Sequence, residues 1–340
     1  MKIALDVMGG DFAPQNPIAG LKLALAELPV ITKVYLVGQP EVIEQELKRQ
    51  DLSSPKLEIF PASQVVEMAD SGLDAVRKKK DSSISRAVDL VKEGKADAVV
   101  SAGHTGAAVT ASLIKLRTLT HIERPAIASL MPSLTKYWLL IDAGANPDSE
   151  PSHLVQNAIM GSAYVRHVLG RENPTVGLMS NGTEEEKGNA LCKETGKLLR
   201  HTAGLNFIGN VEGHDVWDTP PDVVVCDGFT GNVILKNAEA LAHAIFSMVK
   251  SEIKAGFWTK IGGLLAKPAF KRVHTRTNAD EFGGMPLLGL NGITIISHGS
   301  ASPLAMKNAI RQACENIKHQ VNPHIEAAAT AHSIALHVRS

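Results

Sequence analysis

Short apolar, β-branched runs alternate along this chain with longer stretches whose apolar positions recur at helical spacing. The runs are Ile3–Leu5, Val34–Val37, Leu57–Phe60, Ala98–Val100, Trp138–Ile141, Thr175–Met179, Asn206–Ile208, Val223–Cys226 and Ile293–Ile296. Strand-like runs separated by helical stretches predict an α/β fold, a mainly parallel sheet covered by helices. The spacing predicts one helix over Ile84–Lys92, after the capping signal Ser82/Ser83 and closed by Gly94. It predicts another over Ser302–Lys318, after His298-Gly299-Ser300. No low-complexity linker divides the chain.

One internal echo organises the rest. Residues 96–107 read ADAVVSAGHTGA and residues 221–232 read PDVVVCDGFTGN, at a constant offset of 125. Each is a buried strand, a glycine turn and a helix start. All strand–turn–helix corners share something of this pattern, but the matched Asp97/Asp222, Gly103/Gly228, Thr105/Thr230 and Gly106/Gly231 favour a duplicated core. Two related subdomains would then share one sheet. Ligands of parallel sheets collect beyond the carboxyl ends of the strands, so both glycine turns are expected at a common cleft.

Several turns can carry chemistry. Asp6-Val7-Met8-Gly9-Gly10-Asp11 follows a strand, and its glycines would let main-chain N–H groups approach a ligand. Ser101, Gly103, His104, Thr105 and Gly106 form a second such turn, able to cradle an anion or simply to turn the chain. In the third, Asp227, Gly228, Thr230, Gly231 and Asn232, the asparagine can donate to a developing oxyanion or cap a helix beginning at Val233. In the stretch from Asn181 to Asn189, Thr183 and Glu186 have the spacing of a capping box. Lys187 then falls in a first helical turn, where a cation is unfavourable unless it meets a bound anion, the alternative being a solvated surface lysine. Asn146 lies just after the strand-end Asp142, and His298 and Ser300 mark a further strand-to-helix turn. Residues 250–272 join a basic face to an apolar one formed by Ile253, Phe257, Trp258, Ile261, Leu264 and Leu265. Such a segment suits a membrane surface, a dimer contact or core packing.

Composition narrows the classes. With 340 residues, 44% of them hydrophobic, the chain can bury a large core, and 35 basic against 35 acidic residues give no global field for nucleic acid. Three scattered cysteines argue for a reducing compartment and against a thiolate zinc site. The start MKIALDVMGGD reads as a strand and turn rather than a signal peptide, and no long uncharged apolar stretch is present, so a cytoplasmic protein is expected. There is no GxGxxG after a strand, no GxxxxGK[ST], no GxSxG and no HExxH.

LDVMGGDFAP, RKKKDSSISRAVDLVKEGKADAVVSAGHTGA, IDAGAN, EEEKGN, NFIGNVEGHD, DVVVCDGFTGNVILK and PLLGLNG followed by SHGSA occur in this order. Together they resemble the phosphate acyltransferases of bacterial phospholipid synthesis, from Met1 to about Cys314. The chain departs from the usual family pattern at Val7, His104, Ala301 and Ser302. The resemblance implies a three-layer α/β/α fold of the isocitrate/isopropylmalate dehydrogenase type, with a mostly parallel mixed sheet. Residues 1–340 would form one domain of two intertwined, pseudo-symmetric subdomains.

It further implies formation of acyl phosphate from an acyl carrier protein thioester and inorganic phosphate, by a homodimer with no metal and no cofactor. Association with the inner face of the membrane and hand-on to a membrane glycerol-3-phosphate acyltransferase would follow. Lys187 and Asn232 are the expected catalytic residues, with the glycine turns as amide cradles and His298 and Ser300 as further binding residues. Two other readings fit the same fold or surface: an NAD- and Mg²⁺-dependent decarboxylating dehydrogenase, and a non-catalytic scaffold at the membrane.

Overall fold

The computed structural model describes residues 1–67, 70 and 72–339. Its strands are β1 (Lys2–Asp6), β2 (Lys33–Gly38), β3 (Leu57–Pro61), β4 (Ala98–Ser101), β5 (Ala126–Pro132) and β6 (Tyr137–Ile141). They continue with β7 (Thr175–Met179), β8 (Asn206–Val211), β9 (Val223–Val225), β10 (Met285–Leu288) and β11 (Ile293–Ile296). All join one sheet in the order β3-β2-β1-β4-β11-β10-β5-β6-β9-β7-β8.

Side chains alternate across this sheet, as the two-residue period of a strand demands. Ala4, Val99, Leu140 and Val224 enter one apolar cluster. Their neighbours Ile3, Leu5, Ala98 and Val100 face a second cluster, and Leu139, Ile141, Val223 and Val225 a third. Both faces are therefore buried, which is why these strands read as unbroken apolar runs. Helices Ser83–Lys92, Thr105–Leu116 and the start of Gly228–Ala255 cover the first face. Gln15–Glu27 and Pro303–Lys318 cover the other face beneath one half, and Pro151–Val168 and Val321–Arg339 beneath the other half. The result is three layers.

Strand directions show how the halves are related. β1, β2, β3, β4 and β11 are mutually parallel, and so are β6, β7, β8 and β9. Between them β11/β10, β10/β5 and β5/β6 are all antiparallel. Outward from the β10/β5 boundary the pattern is the same on both sides, and the two echo strands β4 and β9 hold corresponding places. The chain crosses this boundary twice, from β4 to β5 and from β9 to β10, so the halves are intertwined. One expectation is corrected. The two parallel sets run in opposite directions, so the turns after β4 and β9 leave opposite edges of the sheet rather than one.

Local signals fare unevenly. Ser82 stands at the N-cap of Ser83–Lys92, and Gly94 takes a positive φ of 69° just beyond its end. The Thr183/Glu186 capping box does not form: residues 180–189 are non-helical, and the next helix, Ala190–His201, is capped by Asn189, whose side chain accepts from the Cys192 N–H. Asn232 is no cap either, because its helix already starts at Gly228 behind the Asp227 cap.

That helix start is seated tightly. A methyl group on Gly231 would overlap the Asp142 carbonyl oxygen, and one on Gly228 would come within 2.6 Å of the Asn146 carbonyl oxygen. Gly262, inside the helix Phe257–Thr277, faces open space. Gly231→Ala is therefore expected to cost about 2–3 kcal/mol through forced displacement. Gly262→Ala should instead stabilise by up to about 1 kcal/mol. Denaturant midpoints of the two variants check this, and equal tolerance would contradict the close approach at Gly231.

Candidate active site

A cleft of about 540 Å³ opens over the middle of the sheet. Ile127–Pro132 of β5 and Met285 and Pro286 of β10 line it, with Gly106, Val109 and Thr110 from one helix and Asn232, Leu235 and Ala238 from the other. Apolar side chains dominate these surfaces. The polar groups gather on the turns: Asp11, Thr105, His298 and Asp280 on one side, and Asn232 beside Gly144 on the other.

The turns of the first half are packed main chain on main chain. Asp6, 2% exposed, accepts a 2.7 Å hydrogen bond from Ser101 Oγ, which itself accepts from the Gly103 N–H at 3.1 Å. Burial pushes the Asp6 carboxyl above its ordinary range, while hydrogen bonds from Ser83 and Ser101 pull the other way. A methyl group on Gly9 would stand 2.8 Å from the Gly103 nitrogen, and one on Gly10 2.9 Å from the Gly299 carbonyl oxygen. These glycines bring the turns after β1, β4 and β11 into contact. His104 caps Thr105–Leu116, its Nδ1 accepting from the Ala107 N–H at 3.1 Å. The N–H groups of Thr105 and Gly106, at the head of that helix, have no acceptor among the described residues.

The second half uses its polar groups internally. Asp142 is fully buried. Its Oδ1 accepts from the N–H groups of Ile127, Gly144 and Ala145, and its Oδ2 from the main chain and the side-chain amide of Asn146. Burial raises this carboxyl, and the main-chain donors of Ala145, Gly144 and Asn146, with the Asn146 side chain, oppose the shift. Asn146 also binds the Pro125 carbonyl through Nδ2 and accepts from the Gly228 N–H. Asp227 accepts from the Thr230 N–H and hydroxyl at 2.8 and 2.7 Å. The Gly228, Thr230 and Gly231 amides are thus all engaged, and Asp142 has no oxygen free to bind an ion. Among the described residues the group close enough to share a cation is Glu212, His214 and Asp215, outside the cleft.

Of the residues singled out in the sequence, Asp11, Gly103, Thr105, Gly106, Asn232 and His298 line the cleft together. Gly9, Gly10, Ser101, His104, Asn146, Asp227, Gly228, Thr230 and Gly231 lie behind it as supports, and Ser300 holds the His298 ring at 2.7 Å. Lys187 does not reach the cleft lining. It is exposed on the loop after β7, at the same strand edge as the turn after β9. Sequence reasoning passed over Lys236 and Glu239, which also line the cleft. Their signal was spacing: four and seven residues beyond Asn232, both fall on its helix face. Burial raises the Glu239 carboxyl, against the pull of His298 and Lys236.

The segment 250–272 is not one helix. Gly256 breaks it between Gly228–Ala255 and Phe257–Thr277, which fold back on each other through Phe246/His274 ring contact at 5.5 Å and Gly263 against Ile253. No residue of Phe257–Thr277 is buried, so core packing is not its role. Phe257 and Trp258 stand 70% and 80% exposed at the turn, with Ile261, Leu264 and Leu265 also exposed. Among the described residues no helix is long and apolar enough to cross a membrane.

The fatty acid synthesis protein family model matches residues 1–324. A phosphate acyltransferase of Akkermansia muciniphila is 50% identical over 331 residues, covering 96% of this chain and 95% of its own. A solved phosphotransacetylase from Streptococcus pyogenes shares the fold at a TM-score of 0.62 and 19% identity, with 94% of each chain covered. The 4-hydroxythreonine-4-phosphate dehydrogenase of Klebsiella pneumoniae does so at 0.53 and 16%, covering 93% of this chain and 99% of its own. The structural neighbours establish the dehydrogenase-like α/β/α fold. The sequence relatives, alike over nearly the full length, establish more: this chain belongs to the phosphate acyltransferase family and is an acyl-transferring enzyme that works with phosphate.

Proposed function

We propose that the enzyme moves a fatty acyl group from the thioester of acyl carrier protein onto inorganic phosphate, yielding acyl phosphate for phospholipid synthesis. The observation that carries this reading is the cleft itself, where an apolar floor suited to an acyl chain meets unengaged amides at its polar margin. A phosphate oxygen attacks the thioester carbonyl carbon, the new C–O bond forms, and the C–S bond breaks. The phosphate proton passes to the departing thiolate. Thiolate is a good leaving group, so no Ser–His pair is required, and the protein's task is positioning and charge stabilisation.

Asn232 has the donor needed at the developing oxyanion. The N–H groups of Thr105 and Gly106, two residues of the cleft lining, have no acceptor among the described residues and stand at the positive end of their helix, an arrangement suited to an anion. Lys187, exposed at the neighbouring strand edge, adds positive potential that steers phosphate inward. Gly103, Ser101 and Asp6 hold the first turn in place, and His298 borders the anion. The exposed tip at Phe257 and Trp258 meets lipid. Leu241, Ile245 and Met248 on the same hairpin, each more than half exposed, offer the surface for a homodimer. The acyl phosphate then passes to a membrane glycerol-3-phosphate acyltransferase.

Purified protein incubated with acyl carrier thioester and labelled phosphate should release labelled acyl phosphate without added nucleotide. Asn232→Ala should lower kcat by about 100-fold or more while the protein stays folded. Lys187→Ala should lower kcat/KM several-fold at low salt, the loss shrinking as ionic strength rises. A wild-type rate in folded Asn232→Ala would end its assignment.

Membrane contact has its own check. Wild-type protein should float with vesicles containing anionic lipid, and a Phe257→Asp/Trp258→Asp double variant should not. Equal flotation would remove the tip from that role.

A further inference from the structure

We propose that Lys236 is the residue that directly binds the phosphate co-substrate, an inference that rests on the acyl-to-phosphate reading and deepens it. Among the described residues lining the cleft, three carboxylates, Asp11, Glu239 and Asp280, stand against a single lysine or arginine, Lys236. An anionic nucleophile entering such a cleft needs a fixed cation close to it, because the carboxylates alone would repel it. Lys187 stands outside that lining, exposed on the loop after β7.

Position argues the same way. Lys236 sits one helical turn after Asn232, and residues four apart share a helix face. The ammonium and the asparagine amide are therefore offered from one rigid helix to one space. Nor is Lys236 already neutralised. Lys79, Lys115 and Lys136 make ion pairs of 2.6–2.8 Å with Asp70, Asp89 and Asp222. Lys236 makes none within 4.0 Å among the described residues, although Glu239 lies only three positions away on its own helix. Asp280 is partly occupied, accepting a 2.7 Å hydrogen bond from Ser302. Lys236 is exposed at the mouth of the cleft, where an ammonium without a counter-ion is available to an entering anion.

The bland alternative is that Lys236 simply offsets Glu239 electrostatically. Steady-state kinetics with inorganic phosphate and acyl carrier thioester separate the two. Lys236→Gln should raise KM for phosphate about 10- to 100-fold, the range expected for loss of a hydrogen bond to a charged group. KM for the thioester should stay within about twofold, and Lys236→Arg should recover most of the loss. Inorganic phosphate should also raise the melting temperature of the wild type and not that of Lys236→Gln, a readout independent of turnover. An unchanged phosphate KM in folded Lys236→Gln overturns the inference, and so does an equal rise in KM on Glu239→Gln. If instead the wild type forms no acyl phosphate yet gains Lys236-dependent protection from phosphate, the anion site stands and the reaction assigned to it falls.

Discussion

The main-chain hydrogen bonds that join β10 to β5, pairing Leu287 with Ile127 and Leu288 with Ala126, decide the rest of the molecule. Because that pairing is antiparallel, two parallel sets of strands run head to tail within one sheet. The helix after β4 and the helix after β9 then descend over the same face from opposite edges. Two helices arriving from opposite edges leave a trough between them, floored by the middle strands. Had the halves been parallel, both glycine turns would have met at one edge, and the ligand would have sat beyond the strand ends. Here it is offered a place on the sheet face itself.

The duplicated corners have diverged in what their amides do. After β9 the corner is closed on itself: Asp142 collects four main-chain N–H groups, and Asp227 and Asn146 take those of the next helix start. A carboxylate without those donors would be costly to bury, so this cluster is best understood as what fixes the head of the Gly228–Ala255 helix, with Gly231 pressed on the Asp142 carbonyl. After β4 the corresponding support comes from Asp6 and Ser101, which leaves Thr105 and Gly106 with open N–H groups. One corner is a foundation, and the other is the binding surface of the proposed reaction. The helix fixed by the first carries Asn232 and Lys236 to the second.

Much of this was legible in the sequence, and the exceptions have physical causes. β1, β2, β4, β6, β9 and β11 announced themselves because burial on both faces leaves them continuously apolar. β5 (AIASLMP) and β10 (MPLL) did not, since they are poor in β-branched residues and each contains proline. They are the two strands that set the antiparallel centre, so missing them made the halves look co-directional. The capping signal at Thr183/Glu186 failed for a local reason. Gly188 takes a positive φ of 90° and its N–H is held by Asn181, which postpones the helix to Asn189. Lys187 was thereby placed in a helical turn that does not exist. Lys236 was hidden differently: its spacing of four from Asn232 puts both on one helix face, but only the seating of the helix on Asp142 shows that this face meets the cleft.

A single helix links the chemistry to the outer surface. Gly228–Ala255 spans 28 residues, about 42 Å at 1.5 Å per residue, with Asn232 and Lys236 near one end and the exposed apolar turn at Phe257 just past the other. This separation suits the proposed reaction, whose product is an amphiphile. At the proposed anion site, a nearby lipid headgroup layer would compete with the co-substrate for the exposed Lys236. The apolar tip, in the proposed role, must instead be free to touch lipid. A long helix satisfies both demands, because it holds the two surfaces in one rigid body while keeping them several Debye lengths apart at physiological salt.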